Sequence, residues 1–191
     1  ASSGATTGNE AGSSTVLTTG QDIVTGGAGN DNFRGVAGQP VGSQEQSTFN
    51  SSDIIKGGAG QDTLILNLVG NYNGGARVSE IETLKLGINA ALAAAFDYNV
   101  NAGFNEISDV TKIVADQINV GETLTVNNIV RTVTADAAAA KIQPTLSWEN
   151  DDNSALAGTV NYGYRAAELT GTADNQTISL TSVNNGVLNL G

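Results

Sequence analysis

The chain has 191 residues, with 19 acidic against 8 basic side chains and a formal net charge of −11 at pH 7. It contains no histidine, no cysteine and no methionine. These absences exclude a serine–histidine–aspartate triad, a thiol nucleophile, a disulfide, and the zinc or iron–sulfur sites that depend on those side chains. The negative charge argues against a nucleic-acid partner. No apolar run reaches the roughly 20 residues that a membrane-spanning helix needs.

The N-terminal segment lacks any hydrophobic period. Residues 1–14 are small and polar, which is typical of a flexible arm. Residues 15–19 (TVLTT) are β-prone and follow directly. We therefore predict an arm over residues 1–19 whose short strand, around Val16 and Leu17, can be exchanged with a neighbouring subunit.

An internal repeat occupies residues 20–66. Residues 20–35 read GQDIVTGGAGNDNFRG, and residues 51–66 read SSDIIKGGAGQDTLIL. A shift of 31 positions superimposes the two copies and aligns Asp22 with Asp53. Two segments within the repeat, 26–34 and 57–65, fit the nine-residue pattern Gly-Gly-x-Gly-x-Asp-x-apolar-x in full. One match in a glycine-rich chain could arise by chance, whereas two matches, each preceded by an Asp nine residues upstream, make a specific signal.

The spacing of this pattern suits a stacked, calcium-binding turn. The glycines let the backbone turn tightly with its carbonyls facing inward, and the aspartate adds a carboxylate at the end of the turn. The residues that follow form a short strand whose apolar member, Phe33 or Leu64, points inward. Because Ca²⁺ takes about six to eight oxygen ligands, one turn is not enough. We predict that the turn at 26–31 stacks over the turn at 57–62, with Ca²⁺ between the aligned acids.

Beyond residue 66 the chain shows short runs of alternating apolar residues with glycine- and asparagine-bearing turns, which predicts an all-β structure. Two alanine-rich segments, 89–96 and 134–142, predict one or two short helices. The fold class expected for the whole chain is thus all-β. A short parallel β-roll at 20–66 is followed, over 67–191, by a β-rich structural or assembly region. That region is expected to form an irregular β-solenoid or a β-sandwich.

Residues 17–34 (LTTGQDIVTGGAGNDNFR) resemble the calcium-binding repeats of the RTX, or hemolysin-type, family. With the later segment 78–86 (VSEIETLKL), the order is similar to that of bacterial S-layer proteins and RTX-like surface adhesins. The resemblance covers about 70 residues closely and implies a few bound Ca²⁺ ions, since only two units are present. It also implies a ligand set made of aspartate carboxylates and nearby main-chain carbonyls: Asp22, Asp31, Asp53 and Asp62, with Gly26, Ala28, Gly57 and Ala59.

Three further features are weaker. Residues 169–180 (LTGTADNQTISL) form a degenerate copy in which Gln176 stands in place of the aspartate, so we predict a turn without metal. The acidic run 149–153 (ENDDN) is interpreted as a solvated loop rather than a second calcium site. Aromatic side chains near the C-terminus could stack on sugars, but packing in the core is favoured; they are Trp148, Tyr162 and Tyr164.

The chain shows no catalytic set, and we expect it not to be an enzyme. The preferred hypothesis is a secreted, calcium-dependent structural protein at the cell surface that self-assembles into an S-layer, filament or matrix. Its partner would be itself, with cell-surface polysaccharide as a further candidate and no nucleic acid. The alternatives are an adhesin or carbohydrate-binding module of a larger secreted RTX protein, and an ancillary module of a polysaccharide enzyme. The absence of cysteine suits a protein outside the cell that ignores its redox surroundings.

Overall fold

The computed structural model describes residues 11–39, 46–89, 93–98, 107–130, 144–150, 158–165 and 176–191. These residues form fourteen strands and no helix, so nothing in this part of the chain could cross a membrane as a helix. The strands are β1 Ser14–Val16, β2 Ile23–Thr25, β3 Asn32–Ala37, β4 Ile54–Lys56, β5 Thr63–Leu68, β6 Arg77–Ser79, β7 Thr83–Ile88, β8 Ala93–Asp97, β9 Lys112–Asp116, β10 Thr123–Ile129, β11 Thr145–Glu149, β12 Thr159–Tyr164, β13 Ile178–Thr181 and β14 Val187–Leu190.

The strands pair in parallel and form three sheets. The large sheet has the order β1-β3-β5-β7-β9-β11-β13, a second sheet has the order β8-β10-β12-β14, and a third has the order β2-β4-β6. Neighbours in each sheet come from successive coils of the chain, which is the arrangement of a parallel β-solenoid. The predicted all-β class and parallel roll are therefore confirmed, and the region after residue 66 continues as a solenoid. The pairing of β5 with β7 joins the two regions in one sheet.

A column of apolar side chains runs along the inside of the large sheet. Because alternate residues of a strand point to the same face, each coil places one large side chain over that of the coil before it. Burying each such side chain stabilises the fold by about 1.5–3 kcal/mol. Five of them share one register position and are at most 1% exposed: Phe33, Leu64, Leu84, Ile113 and Leu146.

The described residues of the alanine-rich segment 89–96 do not form the short helix that its composition predicts. Ala93–Asp97 is strand β8 and pairs along its length with β10. Phe96 is fully buried and its ring stacks on Tyr72, with the ring centroids 4.9 Å apart. So short a helix is marginal by itself, and the pairing with β10 and the burial of alternate side chains outweigh alanine's helix propensity. The other alanine-rich segment, 134–142, lies outside the described residues.

The C-terminal aromatic residues pack mainly inward, as favoured from the sequence. Trp148 is 1% exposed and Tyr162 is 2% exposed. The hydroxyl of Tyr162 donates a hydrogen bond of 2.7 Å to the carbonyl of Ser147. Tyr164 is half-buried. Two of the three rings therefore belong to the core and present no face to a sugar.

Glu122 is a carboxyl placed almost inside the fold, next to the start of β10. The residue is only 8% exposed, and its Oε2 accepts a hydrogen bond of 2.7 Å from the main-chain N–H of Asn119. Burial raises the pKa of Glu122 above its ordinary value of 4.5, and that hydrogen bond offsets the effect only in part. The folded chain therefore holds this proton more readily than the unfolded chain does.

We expect Glu122→Gln to raise the melting temperature at pH 7 by a few degrees. Because the pKa of Glu122 is raised in the folded state, the protonated side chain favours folding and the charged one opposes it. The stabilisation by the protonated form is fully present below the ordinary pKa and is lost as the pH rises through the raised pKa. Glutamine keeps an acceptor for Asn119 without the charge. Thermal melts of both proteins between pH 4 and pH 7 check this: the gap should close towards pH 4, and a constant gap would contradict the explanation.

Candidate metal centre

The two glycine-rich turns stack directly on each other. Strand β2 pairs with β4 through Ile23 and Ile54, and β3 pairs with β5 through Asn32 and Thr63. Both pairings have the 31-residue offset of the repeat, so the turn at 26–31 lies against the turn at 57–62. The structure thus gives the stacking that the spacing predicts.

A ladder of carboxylates runs along this edge of the solenoid. The N–H of Ser13 donates to Oδ1 of Asp31 at 2.6 Å, and the N–H of Asp31 donates to Oδ1 of Asp62 at 2.7 Å. The N–H of Asp62 in turn donates to Oε2 of Glu82 at 2.7 Å. Asp31 is 2% exposed and Asp62 is fully buried. Each carboxylate is therefore held in place by the main chain of the preceding coil.

Asp31 is arranged to stay ionised. Burial raises the pKa of its carboxyl group, but hydrogen bonds from Ser13 and from the N–H of Gly27, the latter at 2.6 Å, outweigh burial and hold the pKa below its ordinary value. A carboxylate that is charged and nearly buried is suited to a cation.

At each of the two turns, a carboxylate oxygen and a main-chain carbonyl oxygen lie close against the backbone of a glycine. A Cβ atom on Gly26 would lie 2.0 Å from the carbonyl oxygen of Gly57 and 2.4 Å from Oδ2 of Asp31. A Cβ atom on Gly57 would lie 1.6 Å from the carbonyl oxygen of Glu80 and 2.6 Å from Oδ2 of Asp62. Only glycine allows these close approaches, and the oxygens gathered beside it are of the kinds that Ca²⁺ prefers. The residues present therefore fit this cation.

The opposite edge brings Asp22 and Asp53 together in the same register. Asp53 is fully buried, and its oxygens accept hydrogen bonds from the N–H of Asp22 at 2.9 Å and of Asn50 at 2.7 Å. Asp22 accepts from the N–H of Thr18 at 2.7 Å. In the next coil, Ala76 takes the corresponding position. These two carboxylates organise turns through hydrogen bonds, and their role as calcium ligands stays a prediction.

Side chains alone do not make a metal site here. Within the described ranges, no three acidic side chains gather closely enough to hold a metal ion. A cation at the glycine-rich turns therefore needs main-chain carbonyls as well. Ala28 and Ala59 lie exposed at the tips of the two turns, where the N–H of Ala59 donates to the carbonyl of Gly27 at 2.9 Å. Ligation by the carbonyls of these two alanines stays a prediction.

A family model for the RTX calcium-binding nonapeptide repeat, in four copies, matches residues 17–40 and 48–68. These two segments are RTX calcium-binding repeats. Their cofactor is Ca²⁺, and proteins with RTX repeats are typically secreted. No curated protein and no solved structure matches the chain. The RTX match covers the residues that form the two glycine-rich turns and includes Asp31 and Asp62 of the carboxylate ladder.

The degenerate third copy is described from Gln176 onwards, and Gln176 itself makes structural contacts. Gln176 accepts a hydrogen bond from the hydroxyl of Tyr164 and donates from Nε2 to the carbonyl of Pro144 at 2.9 Å. It thereby joins neighbouring coils, and the turn without metal stays a prediction. Residues 169–175 of this copy and the acidic residues 151–153 lie outside the described residues.

Sequence reasoning missed the two acids that follow the second RTX turn, Glu80 and Glu82. The third coil replaces the six-residue RTX turn with residues 80–82, so no glycine pattern marks it. Glu80 adopts a left-handed φ of 56°. The sequence predicted a strand here from alternating apolar residues, and only the register reveals that its two glutamates face the RTX turn.

Proposed function

We propose that this chain is an extracellular, calcium-dependent structural protein that assembles end to end with copies of itself and has no catalytic activity. A surface layer, a filament or a matrix would each be built in this way. The observation that carries the proposal is that, among the described residues, the outermost strands at both ends of the solenoid expose apolar side chains.

Apolar side chains stand exposed at one end of the solenoid. Strands β13 and β14 are the last strands of their sheets in the part of the chain that the structure describes. Leu180, Val187 and Leu190 are 56%, 51% and 53% exposed. An edge strand carries unpaired N–H and C=O groups, and an apolar edge is a ready surface for pairing with another chain.

Apolar side chains are exposed at the other end of the described solenoid as well. Val16 on β1 is 71% exposed, and Ile23 on β2 is 68% exposed. Strands β1 and β13 are opposite edges of the same seven-stranded sheet. Addition of β1 of one copy to β13 of the next would continue that sheet in parallel from one molecule to another. Such a head-to-tail contact generates an open polymer rather than a closed dimer.

Bound Ca²⁺ would favour this contact by ordering the first coils of the solenoid. The RTX turns adjoin β2 and β3, so the ions order the coils that carry the β1 and β2 edges. Without them, Asp31 and Asp62 lie close together as uncompensated charges in a buried setting. Bound Ca²⁺ also reduces the net charge of −11, which opposes the approach of two copies.

The alternative role as an adhesin or carbohydrate-binding module finds less support. Trp148 and Tyr162 pack in the core, which removes two of the rings expected to stack on a sugar. Polysaccharide as a partner stays a prediction and can be tested by glycan binding to the folded protein.

We expect the protein to form large assemblies in millimolar Ca²⁺ and to return to monomers in chelator, as followed by sedimentation velocity and electron microscopy. Leu180→Lys with Leu190→Lys should bind Ca²⁺ normally but stay monomeric, because the charges disrupt the exposed end. Val120→Lys is the matched control, since Val120 is 63% exposed but lies between β9 and β10, away from the terminal strands. A wild-type protein that stays monomeric at high concentration in Ca²⁺ would overturn the proposal.

A further inference from the structure

The second RTX turn faces a coil that is not an RTX repeat. Lys56 pairs with Ser79 before the turn, and Thr63 pairs with Thr83 after it. The six residues 57–62 are thus set against only three residues, 80–82. The family match ends at residue 68, so this third coil lies outside it.

The third coil nevertheless repeats the contacts made between the two RTX turns. The N–H of Gly26 donates to the carbonyl of Lys56 at 2.8 Å, and the N–H of Gly57 donates to the carbonyl of Ser79 at 3.0 Å. The carbonyl of Glu80 then points at Gly57 just as the carbonyl of Gly57 points at Gly26. The left-handed backbone of Glu80, with φ of 56°, is part of this shortened turn.

Asp62 differs from Asp31 in the hydrogen bonding of its Oδ2 atom. Oδ2 of Asp31 accepts the N–H of Gly27 at 2.6 Å, whereas Oδ2 of Asp62 has no hydrogen-bond donor among the described residues. Asp62 is fully buried. This Oδ2 and the carbonyl oxygen of Glu80 lie 2.6 Å and 1.6 Å from the same point, the position of a Cβ on Gly57. A buried carboxylate oxygen without a donor is costly, and a cation would supply its missing partner.

The ammonium group of Lys56, the residue that precedes the second RTX turn, is engaged elsewhere. Lys56 Nζ lies 3.0 Å from Oε1 of Glu80, and both side chains are nearly half exposed. This ion pair sits at the surface and leaves the buried Oδ2 of Asp62 without a cation. The carbonyl oxygen of Glu80 and Oδ2 of Asp62 therefore lie beside the same glycine, and no described side chain neutralises the carboxylate.

We propose that a second Ca²⁺ site, here called the hybrid site, lies between the second RTX turn and the third coil, with Oδ2 of Asp62 and the main-chain carbonyl of Glu80 among its ligands. Glu82 is a positioning residue: its Oε2 holds the N–H of Asp62 at 2.7 Å, as Asp62 holds Asp31. The proposal rests on calcium binding by the RTX turns and not on self-assembly. The hybrid site thereby adds one ion to the one bound between the two RTX turns.

Calcium titration by calorimetry tests this site through the number of ions bound. Asp62→Asn keeps an oxygen acceptor for the N–H of Asp31 but removes the negative charge and the second oxygen ligand, so we expect it to lose one ion relative to wild type. Asp31→Asn should lose a different one, and the double variant should lose both. Asp97→Asn on β8 is the control and should keep the full number. An unchanged number of ions in Asp62→Asn overturns the hybrid site while leaving calcium binding by the RTX turns intact.

Nuclear magnetic resonance of the wild-type protein gives a second readout that needs no variant. Ligation polarises the carbonyl of Glu80 and hence the peptide group that it shares with Ile81. The amide nitrogen of Ile81 should therefore shift when Ca²⁺ is added to the ¹⁵N-labelled protein. Glu82→Ala should weaken this response, and Glu82→Gln, which retains the acceptor, should restore it. A resonance of Ile81 that stays in place while the RTX turns respond to Ca²⁺ would overturn the proposal.

Discussion

Removing Ca²⁺ is expected to lower the melting temperature of this protein by about 10–20 °C. A ligand that binds only the folded state stabilises it by mass action, by about 2.7 kcal/mol per site when its free concentration is 100 times the dissociation constant. Two sites, one between the RTX turns and one at the third coil, give about 5 kcal/mol. For a domain of this size, 1 kcal/mol corresponds to about 2–4 °C.

The same acids that form the ladder should account for this difference. Thermal melts in millimolar Ca²⁺ and in chelator measure it directly. Asp31→Ala combined with Asp62→Ala removes the two buried carboxylates at the glycine-rich turns and should abolish most of the difference. Asp97→Ala removes a carboxylate elsewhere, on β8, and should preserve it. Equal melting temperatures of the wild-type protein with and without Ca²⁺ would contradict the assignment of these turns as calcium sites.

Gly57→Ala is expected to destabilise the protein by about 3 kcal/mol or more, at the upper end of the cost of overpacking. The added Cβ would lie 1.6 Å from the carbonyl oxygen of Glu80 and 2.7 Å from its carbonyl carbon. Both are backbone atoms, so no side-chain rotation relieves the clash and two stacked coils must separate. The melting temperature should fall by about 6–12 °C in Ca²⁺.

Gly20→Ala provides the matched control for this substitution. Gly20 also lies in an RTX segment, but the nearest atom to its added Cβ is Oγ1 of Thr18 at 3.8 Å, an ordinary contact. We expect the melting temperature of Gly20→Ala to stay near that of wild type. Unfolding curves of the two variants at equal Ca²⁺ decide the matter, and similar stabilities would show that the close approach at Gly57 is relieved at little cost.

The candidate site is predictable from the sequence where it is repetitive. The shift of 31 residues predicts that Asp31 stacks near Asp62, because two copies of one local conformation pack best in register. The glycine positions follow from the same argument, since the coils approach too closely at Gly26 and Gly57 to admit a Cβ. Here local chemistry and tertiary structure agree, because the conformation of one copy predicts that of the other.

The site is not predictable where the repeat ends. Glu80 and Glu82 carry no glycine pattern, and their position opposite the RTX turn follows from the pairing of β6 and β7 with β4 and β5. The strand β8 is a similar case. Its alanines favour a helix locally, and the pairing with β10 and the stacking of Phe96 on Tyr72 override that preference.

The sequence by itself determined the chemistry of this protein: an acidic chain with neither His nor Cys, two RTX turns that bind Ca²⁺, and an all-β fold. These properties depend on residue types and short spacings, which a chain retains whatever its partners are. Only the tertiary structure decided that the described coils continue as one solenoid, that their outermost strands expose apolar side chains, and that Asp62 keeps a buried oxygen without a donor near the carbonyl of Glu80. Those properties depend on which coil lies beside which, and parallel pairing sets that through contacts distant in sequence.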